Sequence, residues 1–319
     1  MNTSALTVTL NPAIDQTIRL ETLHHSKVNI AQTMDVHAAG KGINVATCLA
    51  DYGIATTAFG VIGSENKHLF EQHFQQRGVT DACLRIDGAT RTNVKLVEKD
   101  GTTTDVNLPG IPVYSDTLSS VLDHLQNAIR PGIPVVLSGS LPPGLDENAW
   151  AQVQAHAIKA GARLVLDTSG VALKRALDAP ENQRPYAVKP NKQELQAIVG
   201  HCLDGRQNVI DAARALLAKH ITLVVISMGA DGALFAMGQE AIIAKPNHIV
   251  RSSTVGAGDA MVAGLTAGII ANNISLESCA RLATAFSICR LTNGYDHPIE
   301  KSKIHLCAQK AVNIEHLTS

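Results

Sequence analysis

Short apolar runs that alternate with helical segments constrain the fold of this chain more than any other feature. The apolar runs end in small, polar or charged residues and lie at 6–10, 133–140, 162–169, 186–191 and 221–229. Segments with helical patterns lie between runs, for example at 43–53, 146–160 and 206–219. This order predicts an α/β fold with a mainly parallel sheet flanked by helices. Ligands of such sheets bind beyond the carboxyl ends of the strands, where most of the polar residues fall.

Two extended segments break this alternation. The segment 90–110 contains two extended runs joined at Asp100-Gly101, a dipeptide typical of two-residue hairpin turns. The segment 14–39 also lacks helical periodicity. We predict that they pair into a small antiparallel sheet outside the main one, built from about 14–39 and 89–111. A sheet with a core on one side needs a second cover, such as a ligand, a closing contact or a partner subunit.

The composition narrows the functional classes. The 319 residues contain 27 basic and 28 acidic side chains, a net charge of −1 and 3% aromatic residues, so neither nucleic acid nor a membrane surface is an expected partner. The six cysteines form no C-x-x-C pair, which indicates reduced thiols. No signal peptide is evident, and the apolar helix candidate at 260–271 is shorter than the ~20 residues of a membrane span. We predict a cytoplasmic protein with one domain over 1–319.

Glycine clusters indicate anion binding, but several familiar phosphate motifs are excluded. A Walker A loop needs a glycine five residues before Gly40-Lys41, where this chain has Asp35, and a Ser or Thr where it has Gly42. The dinucleotide pattern G-x-G-x-x-G fails at Met261, and the protein-kinase catalytic loop is absent. The chain is therefore neither a P-loop enzyme nor a protein kinase.

The stretch Gly256-Ala257-Gly258-Asp259 precedes an apolar helical run. Glycines allow successive N–H groups to point at an anion, and the positive end of the following helix adds to this attraction. One interpretation is that Asp259 only complements the helix dipole. The other is that Asp259 removes a proton from an attacking hydroxyl while the N–H groups receive the charge of a transferred phosphoryl group. The stretch alone does not decide between them.

A second glycine cluster, Gly40-Lys41-Gly42, precedes the helix predicted at 43–53. By itself it could be a turn with a solvated lysine. Two anion-binding clusters in one α/β chain favour a ligand that carries phosphate at two places.

Four motifs occur in the order found in one family. They are AAGKGINVA (38–46), SGSLPPG (138–144), VKPNKQEL (188–195) and STVGAGDAMVAG (253–264). In this order they resemble the ribokinase-like sugar kinases of the PfkB type, and the similarity covers essentially the whole chain. The runs TLNPAID (9–15) and TRTNVKLVEKDG (90–101) resemble the branch that phosphorylates fructose 1-phosphate.

The resemblance implies a ribokinase-like fold and an ATP-dependent reaction. The implied reaction phosphorylates the 6-hydroxyl of fructose 1-phosphate, with Mg²⁺, to give fructose 1,6-bisphosphate and ADP. The small sheet would be a lid over the sugar and the contact of a homodimer. Tagatose 6-phosphate kinase and 6-phosphofructokinase are the alternatives within the family. A non-catalytic sugar-phosphate sensor is the alternative from another class.

The resemblance also implies roles for individual residues. Asp259 would be the catalytic base, with Gly256, Ala257 and Gly258 binding the transferred phosphoryl group. The sugar phosphate would contact Asp15, Lys27, Gly40, Lys41, Asn44, Arg91 and Ser140. The nucleotide would contact Lys189, Asn191, Ser227, Gly229 and Gly232. Asn191 and Glu194 would bind Mg²⁺, largely through water.

Some of these residues have simpler interpretations from the sequence alone. Asn191 and Glu194 also match the N-x-x-E capping box of a helix start. Lys27 and Arg91 could be ordinary exposed charges of the lid, and Asp15 could be a turn residue after Pro12. The thirteen histidines show no metal-binding spacing.

Overall fold

The computed structural model describes residues 4–247, 256–271, 275–294 and 297–317. The strands are β1 Ser4–Thr9, β2 Ala13–Leu20, β3 Gln32–Ala39, β4 Ala55–Gly63, β5 Thr80–Asp81, β6 Leu84–Ile86, β7 Thr92–Glu98, β8 Thr103–Val106, β9 Pro134–Ser138, β10 Arg163–Asp167, β11 Ala187–Val188, β12 Leu223–Ser227, β13 Ala233–Met237, β14 Glu240–Pro246 and β15 Val312–His316. The helices are α1 Lys41–Asp51, α2 His68–Arg77, α3 Ser115–Ala128, α4 Ala149–Lys159, α5 Gly170–Leu177, α6 Lys192–Val199, α7 Arg206–Leu217, α8 Ala257–Ile270, α9 Leu276–Asn293 and α10 Lys301–Lys310.

The main sheet confirms the α/β prediction. Its strand order is β15-β14-β13-β12-β11-β10-β9-β1-β4-β5, with β6 beside β4. The strands from β12 to β5 in this order run parallel, whereas β13, β14 and β15 extend the sheet antiparallel. In β9, Val135 and Leu137 pack on one face and Val136 on the other. Both faces are therefore buried, which is why the strand sequence is a continuous apolar run.

Helices cover both faces of this sheet. Helices α3, α4, α5 and α7 contribute to one core, around the fully buried Trp150, and α1, α8, α9 and α10 contribute to the other, around Phe286. Within the described residues, no helix has the length and apolarity needed to cross a membrane.

The parallel strands end at one edge of the sheet, which we call the carboxyl edge. Strands β1, β9, β10 and β12 end there at Thr9, Ser138, Asp167 and Ser227. Helix α1 also begins at this edge, as the contact between Lys41, at its start, and Asp167 shows. The strand order thus gathers segments from distant parts of the chain at one place.

The second sheet lies where the two extended segments were predicted, but it is mixed rather than antiparallel. Its order is β3-β2-β7-β8, with β2 and β3 antiparallel, β7 and β8 antiparallel, and β2 and β7 parallel. The prediction of an antiparallel sheet is wrong at this central pair. The first strand of each hairpin leaves the body at the same place, where Ile14 N donates to Arg91 O at 2.8 Å, so the two strands run side by side in one direction.

The hairpin between β7 and β8 has a three-residue loop instead of the predicted two-residue turn. Glu98 N donates to Thr102 O and Gly101 N donates to Glu98 O, both at 2.9 Å. Gly101 has φ 90°, so a type I turn is followed by a left-handed glycine, as in bulged three-residue hairpins. The Asp100 carboxylate accepts from Thr102 N at 2.8 Å and holds this conformation.

Close packing of α8 on α9 positions the helix that carries Asp259. A Cβ atom added to Gly264 would lie 2.6 Å from the Cα of Ala283 and 3.0 Å from Leu282 O. Both contacts are with the backbone of α9, which cannot rotate away. The helices therefore approach this closely because position 264 has no side chain.

We expect Gly264→Ala to lower the free energy of unfolding by about 1–3 kcal/mol through overpacking. This would occur although alanine is favoured over glycine in a helix by about 1 kcal/mol. Gly268→Ala is the matched control, because its added Cβ would meet mainly the Sγ of Cys279, at 2.8 Å, which can rotate. Urea denaturation of both variants measures the difference. Equal stabilities would show that the approach at Gly264 does not limit the packing.

Candidate active site

Helix α8 begins at the carboxyl edge with its N-terminus open. Its N-cap, Gly256, has φ 73°, a left-handed conformation that glycine adopts without strain, and no side chain caps the helix. The N–H groups of the first turn have no partners within the helix. Asp259 lies in this turn, is 8% exposed and accepts a hydrogen bond from Asn44 Nδ2 at 2.7 Å.

The surroundings of Asp259 tune its proton affinity. Burial raises its pKa to about 6, and the negative charge of Asp167 acts in the same direction. The hydrogen bond from Asn44 and the charges of Lys41 and Lys189 oppose this rise. The carboxylate is therefore mostly ionised at pH 7 yet more basic than an exposed aspartate, which suits a general base.

Helix α1 presents a second open N-terminus at this site. Its N-cap, Gly40, has no capping side chain, and its first turn contains no acidic residue. A Cβ atom added to Gly42 would lie 2.4 Å from Thr9 Oγ1 and 2.9 Å from Val8 O, so glycine is required for α1 to lie against β1. The bond between Asn44 and Asp259 connects the first turns of α1 and α8. Two positive helix ends therefore converge on one cleft.

Asp167, at the end of β10, is a site residue that the sequence analysis missed. Its carboxylate is 1% exposed and lies 3.2 Å from Lys189 Nζ and 3.7 Å from Lys41 Nζ. Burial alone would raise its pKa, but the two lysines and a hydrogen bond from Ser138 hold the pKa below its usual value. Asp167 in turn raises the pKa of Lys41. The sequence signal for Asp167 was its position as an acidic residue at the end of an apolar run.

Asn191 and Glu194 form the capping box that their spacing predicts. Glu194 N donates to the Asn191 side chain at 2.7 Å, and Asn191 N donates to the Glu194 carboxylate at 2.8 Å. The charge of Glu194 also raises the pKa of Lys41, so this carboxylate acts on the cleft. Within the described residues, no three His, Cys, Asp or Glu side chains converge as metal ligands.

The end of β12 brings Ser227 close to this capping box, and Gly229 and Gly232 lie in the turn that follows. Ser227 N donates to Pro190 O at 3.1 Å, and Ser227 forms a bridge with Asn191. Gly229 and Gly232 have φ values of 63° and 85°. A Cβ atom added to Gly232 would lie 2.2 Å from Ala244 O. This close contact with the backbone is by itself a sufficient reason for glycine at this position.

Asp15 and Arg91, the predicted site residues of the second sheet and its entry, have partners within the protein. Asp15, on β2, accepts from Asn93 Nδ2 at 3.0 Å. Arg91 donates to three backbone carbonyls, those of Asn11, Pro12 and Leu108, at 3.0, 3.2 and 2.6 Å. Burial lowers the pKa of Arg91, and the nearby charge of Asp15 opposes this.

Two further predicted residues occupy different settings. Ser140 lies beyond the end of β9, where its hydroxyl accepts from Asn11 Nδ2 at 3.1 Å. Asn11 also donates to Pro109 O and Leu141 O, so it joins the segment after β8 to the carboxyl edge. Lys27 lies exposed between β2 and β3, and its carbonyl accepts a hydrogen bond from Asn29 Nδ2 at 3.1 Å. The structure does not bring Lys27 into contact with the other described site residues.

Comparison with known proteins supports the family resemblance that the four motifs indicate. The profile of the pfkB family carbohydrate kinases matches residues 8–300. A 1-phosphofructokinase of Xanthomonas campestris is 54% identical over 92% of this chain and 93% of its own length. A 1-phosphofructokinase of Rhodobacter capsulatus is 46% identical over 88% of each chain.

This chain is also similar to the solved structure of a phosphofructokinase. The potassium complex of phosphofructokinase-2 from Escherichia coli is similar with a TM-score of 0.89 and 28% identity, over 96% of this chain and 98% of that one. The ribokinase-like fold and the family inferred from four motifs are both confirmed. The chain belongs to the pfkB family of carbohydrate kinases.

Proposed function

We propose that this chain transfers a phosphoryl group from ATP to the 6-hydroxyl of fructose 1-phosphate, giving fructose 1,6-bisphosphate and ADP. The observation that carries the proposal is the buried Asp259 between the open N-termini of α1 and α8. The high identity to proteins named 1-phosphofructokinase supports this choice of sugar phosphate. Such an ATP-dependent enzyme with free cysteines acts in the cytoplasm.

Asp259 is the general base of the reaction. Its free carboxylate oxygen accepts the proton of the 6-hydroxyl while the other oxygen is held by Asn44. The N–H groups of Gly256, Ala257 and Gly258 bind the transferred phosphoryl group, because the α8 N-terminus attracts the charge on its oxygens. Base and anion site are adjacent, as an in-line transfer to an alcohol requires.

Two lysines bind the phosphates of the sugar and of the nucleotide at separate places in the cleft. Lys41, with Gly40 at the α1 N-terminus, binds the 1-phosphate of the sugar, and Lys189 binds the nucleotide phosphates. Asp167 lies between their ammonium groups, so their mutual repulsion is reduced and both positions are defined. Each charged contact to a phosphate dianion contributes about 1.5–3 kcal/mol.

The turn after β12 and the start of α6 bind the rest of the nucleotide. Ser227, Gly229 and Gly232 contact ATP. Asn191 and Glu194 would hold Mg²⁺ largely through water, since their direct bonds already form the capping box. When bound, Mg²⁺ neutralises charge on the phosphates of ATP.

The second sheet is a lid over the sugar, built from the segments 14–39 and 89–111. Asp15, Asn44 and Ser140 bind the sugar hydroxyls, and Arg91 and Lys27 bind its phosphate when the lid closes. Arg91 has five N–H groups, of which three are engaged with backbone carbonyls here. Closure excludes water, which would otherwise hydrolyse ATP.

A second copy of the chain covers the outer face of this lid, so that the enzyme is a homodimer. The support is a group of exposed apolar side chains on the lid: Val28, Ile30, Met34, Val36, Val106 and Leu108. Val28 and Ile30 are 94% and 92% exposed, which is unusual for residues of this type in a monomer.

The substrate is tested by measuring ADP release with Mg-ATP and each of three sugars. We expect a strong preference in kcat/KM for fructose 1-phosphate over fructose 6-phosphate and tagatose 6-phosphate. The reason is that Lys41 lies in the same cleft as Asp259 and binds a phosphate at the far end of the sugar. Preference for a 6-phosphate would show that the sugar binds in the opposite orientation. Binding of fructose 1-phosphate without ADP formation would favour a sugar-phosphate sensor.

The base is tested with Asp259→Asn. We expect kcat to fall at least ~100-fold with little change in the affinity for fructose 1-phosphate, because the amide cannot accept the hydroxyl proton in the transition state. Steady-state kinetics and calorimetric titration measure the two effects. The control is Asp123→Asn, on the exposed side of α3. Near-normal turnover of the Asp259 variant would remove this residue from the base role.

The pH profile tests the protonation state of Asp259. Since the base must be ionised, kcat/KM should fall tenfold per pH unit below its pKa of about 6. Asp167→Asn removes a negative charge that raises this pKa, so the acidic limb should move to lower pH. The substrate phosphate also titrates near pH 6 but is the same in both experiments. Identical acidic limbs in the two enzymes would assign the limb to the substrate.

A further inference from the structure

A second cleft, of about 520 Å³, lies where helices α1 and α8 end. The two helices carry Asn44 and Asp259 in their first turns, and their C-caps, Tyr52 and Ala271, line this second cleft. An α-helix rises about 1.5 Å per residue, so the second cleft lies roughly 12–18 Å from these two side chains along the helix axes. It is therefore separate from the phosphoryl-transfer site.

The second cleft has apolar walls and basic side chains. Its apolar lining comes from the end of α1 and from α8, α9 and α10, with Ile54, Ala267, Ile270, Leu282 and Ala308. Three basic side chains, those of Arg281, Lys301 and His305, also line it, and no Asp or Glu is among its described lining residues. Apolar walls with a few convergent polar groups, in a volume of this size, are typical of sites for small molecules.

Lys301 lies against an aromatic ring rather than against a carboxylate. Its Nζ is 5.0 Å from the centroid of the Tyr52 ring, which is within the range of cation–π contacts. The Tyr52 hydroxyl is 2.9 Å from His305 Nε2, and the two rings are nearly parallel, with their centroids 5.7 Å apart. Lys301, Tyr52 and His305 therefore form one connected group at the second cleft.

Three acidic residues directly precede lining residues in the chain, and each has another cation as its partner. The pairs are Glu277 with Arg281, Glu300 with Lys303 and Asp51 with Arg77. Lys301 itself forms no ion pair with a residue in the described part of the chain. Its charge is therefore not compensated by a carboxylate there, which favours an anion from outside the chain.

A simpler interpretation is that Lys301 and His305 only complement the ends of α1 and α8, whose last carbonyl groups favour nearby cations. This interpretation accounts for the charge but leaves the apolar cleft open. Protein interiors are closely packed, and apolar surface that remains uncovered is a common feature of binding sites. An occupant with both an anionic group and an apolar part accounts for both features.

We propose that the second cleft binds a small organic anion, a molecule that carries one anionic group on an apolar body. The anionic group pairs with Lys301, and the apolar body packs against Ile54 and Ile270. Such a ligand contacts both helices that carry the phosphoryl-transfer site, but it touches none of the groups in that site. The proposal therefore does not depend on which sugar phosphate the enzyme uses.

The test is a calorimetric titration of the full-length protein with phenyl phosphate, in the presence of excess fructose 1-phosphate to occupy the active site. Phenyl phosphate joins an anionic group to an apolar ring, so it has both parts of the proposed ligand. We expect saturable binding of one molecule per chain. Inorganic phosphate, which lacks the ring, should bind about tenfold more weakly, because the burial of the ring is lost. Absence of saturable binding, or equal affinity for the two anions, would overturn the proposal.

Two matched variants locate the binding. Lys301→Gln removes the positive charge at the second cleft and should raise the Kd of phenyl phosphate about tenfold. Lys310→Gln is the control, because Lys310 lies at the other end of α10 and does not line the cleft, so the Kd should stay unchanged. Both lysines are exposed, so both variants should fold as the unaltered protein does. An equal Kd in the two variants would place the anion elsewhere and overturn the proposal.

The concentration of fructose 1-phosphate separates this proposal from the proposed function. If raising it weakens the binding of phenyl phosphate competitively, the anion lies in the active site and the proposal is overturned. A chain that does not use fructose 1-phosphate would still show the dependence on Lys301. The two proposals therefore fail independently of each other.

Discussion

The parallel order of strands at the carboxyl edge is the constraint on which the site depends. Because β1, β9, β10 and β12 run in one direction, their last residues meet at one edge. Helix α1 begins at this edge, and Asn44 in it binds Asp259 in the first turn of α8. Glycines at 42 and 264 permit the close approaches that bring α1 onto β1 and α8 onto α9. The anion-binding geometry thus follows from the packing of whole elements.

Charge within this cleft is balanced so that two carboxylates have different roles. Asp167 has two lysines within 3.7 Å, and they keep its pKa low in spite of complete burial. Burial, together with the like charge of Asp167, raises the pKa of Asp259, and the hydrogen bond from Asn44 only partly offsets this rise. One carboxylate is therefore a permanent anion that positions cations, and the other is poised to exchange a proton. Environments that separate two pKa values in this way are typical of catalytic pairs.

The second sheet is joined to the main body at the connection between β1 and β2. Arg91, directly before β7, donates to the carbonyls of Asn11 and Pro12 in this connection. The parallel pairing of β2 with β7 joins the two hairpins into one sheet. In the proposed enzyme this sheet covers the sugar, and its exposed apolar residues, such as Val28 and Ile30, contact a second copy.

The sequence by itself determined the features that depend on neighbours along the chain. Alternating apolar runs and helical segments predicted the α/β fold, and N-x-x-E predicted a capping box that Asn191 and Glu194 form. The glycine clusters before α1 and α8 predicted two open helix N-termini, because glycine and helix polarity act locally. The family also followed from motifs that can be compared residue by residue.

Only the tertiary structure decided which distant groups meet and how strongly they interact. Asn44 and Asp259 are 215 residues apart in the chain, and no pattern around either one predicts their hydrogen bond. Three other features also depend on residues that are distant in the chain. They are the position of Asp167 between Lys41 and Lys189, the raised pKa of Asp259 and the parallel pairing of β2 with β7. Electrostatic interactions depend on distance and burial in space, and those quantities exist only once the strands have been ordered and the helices packed.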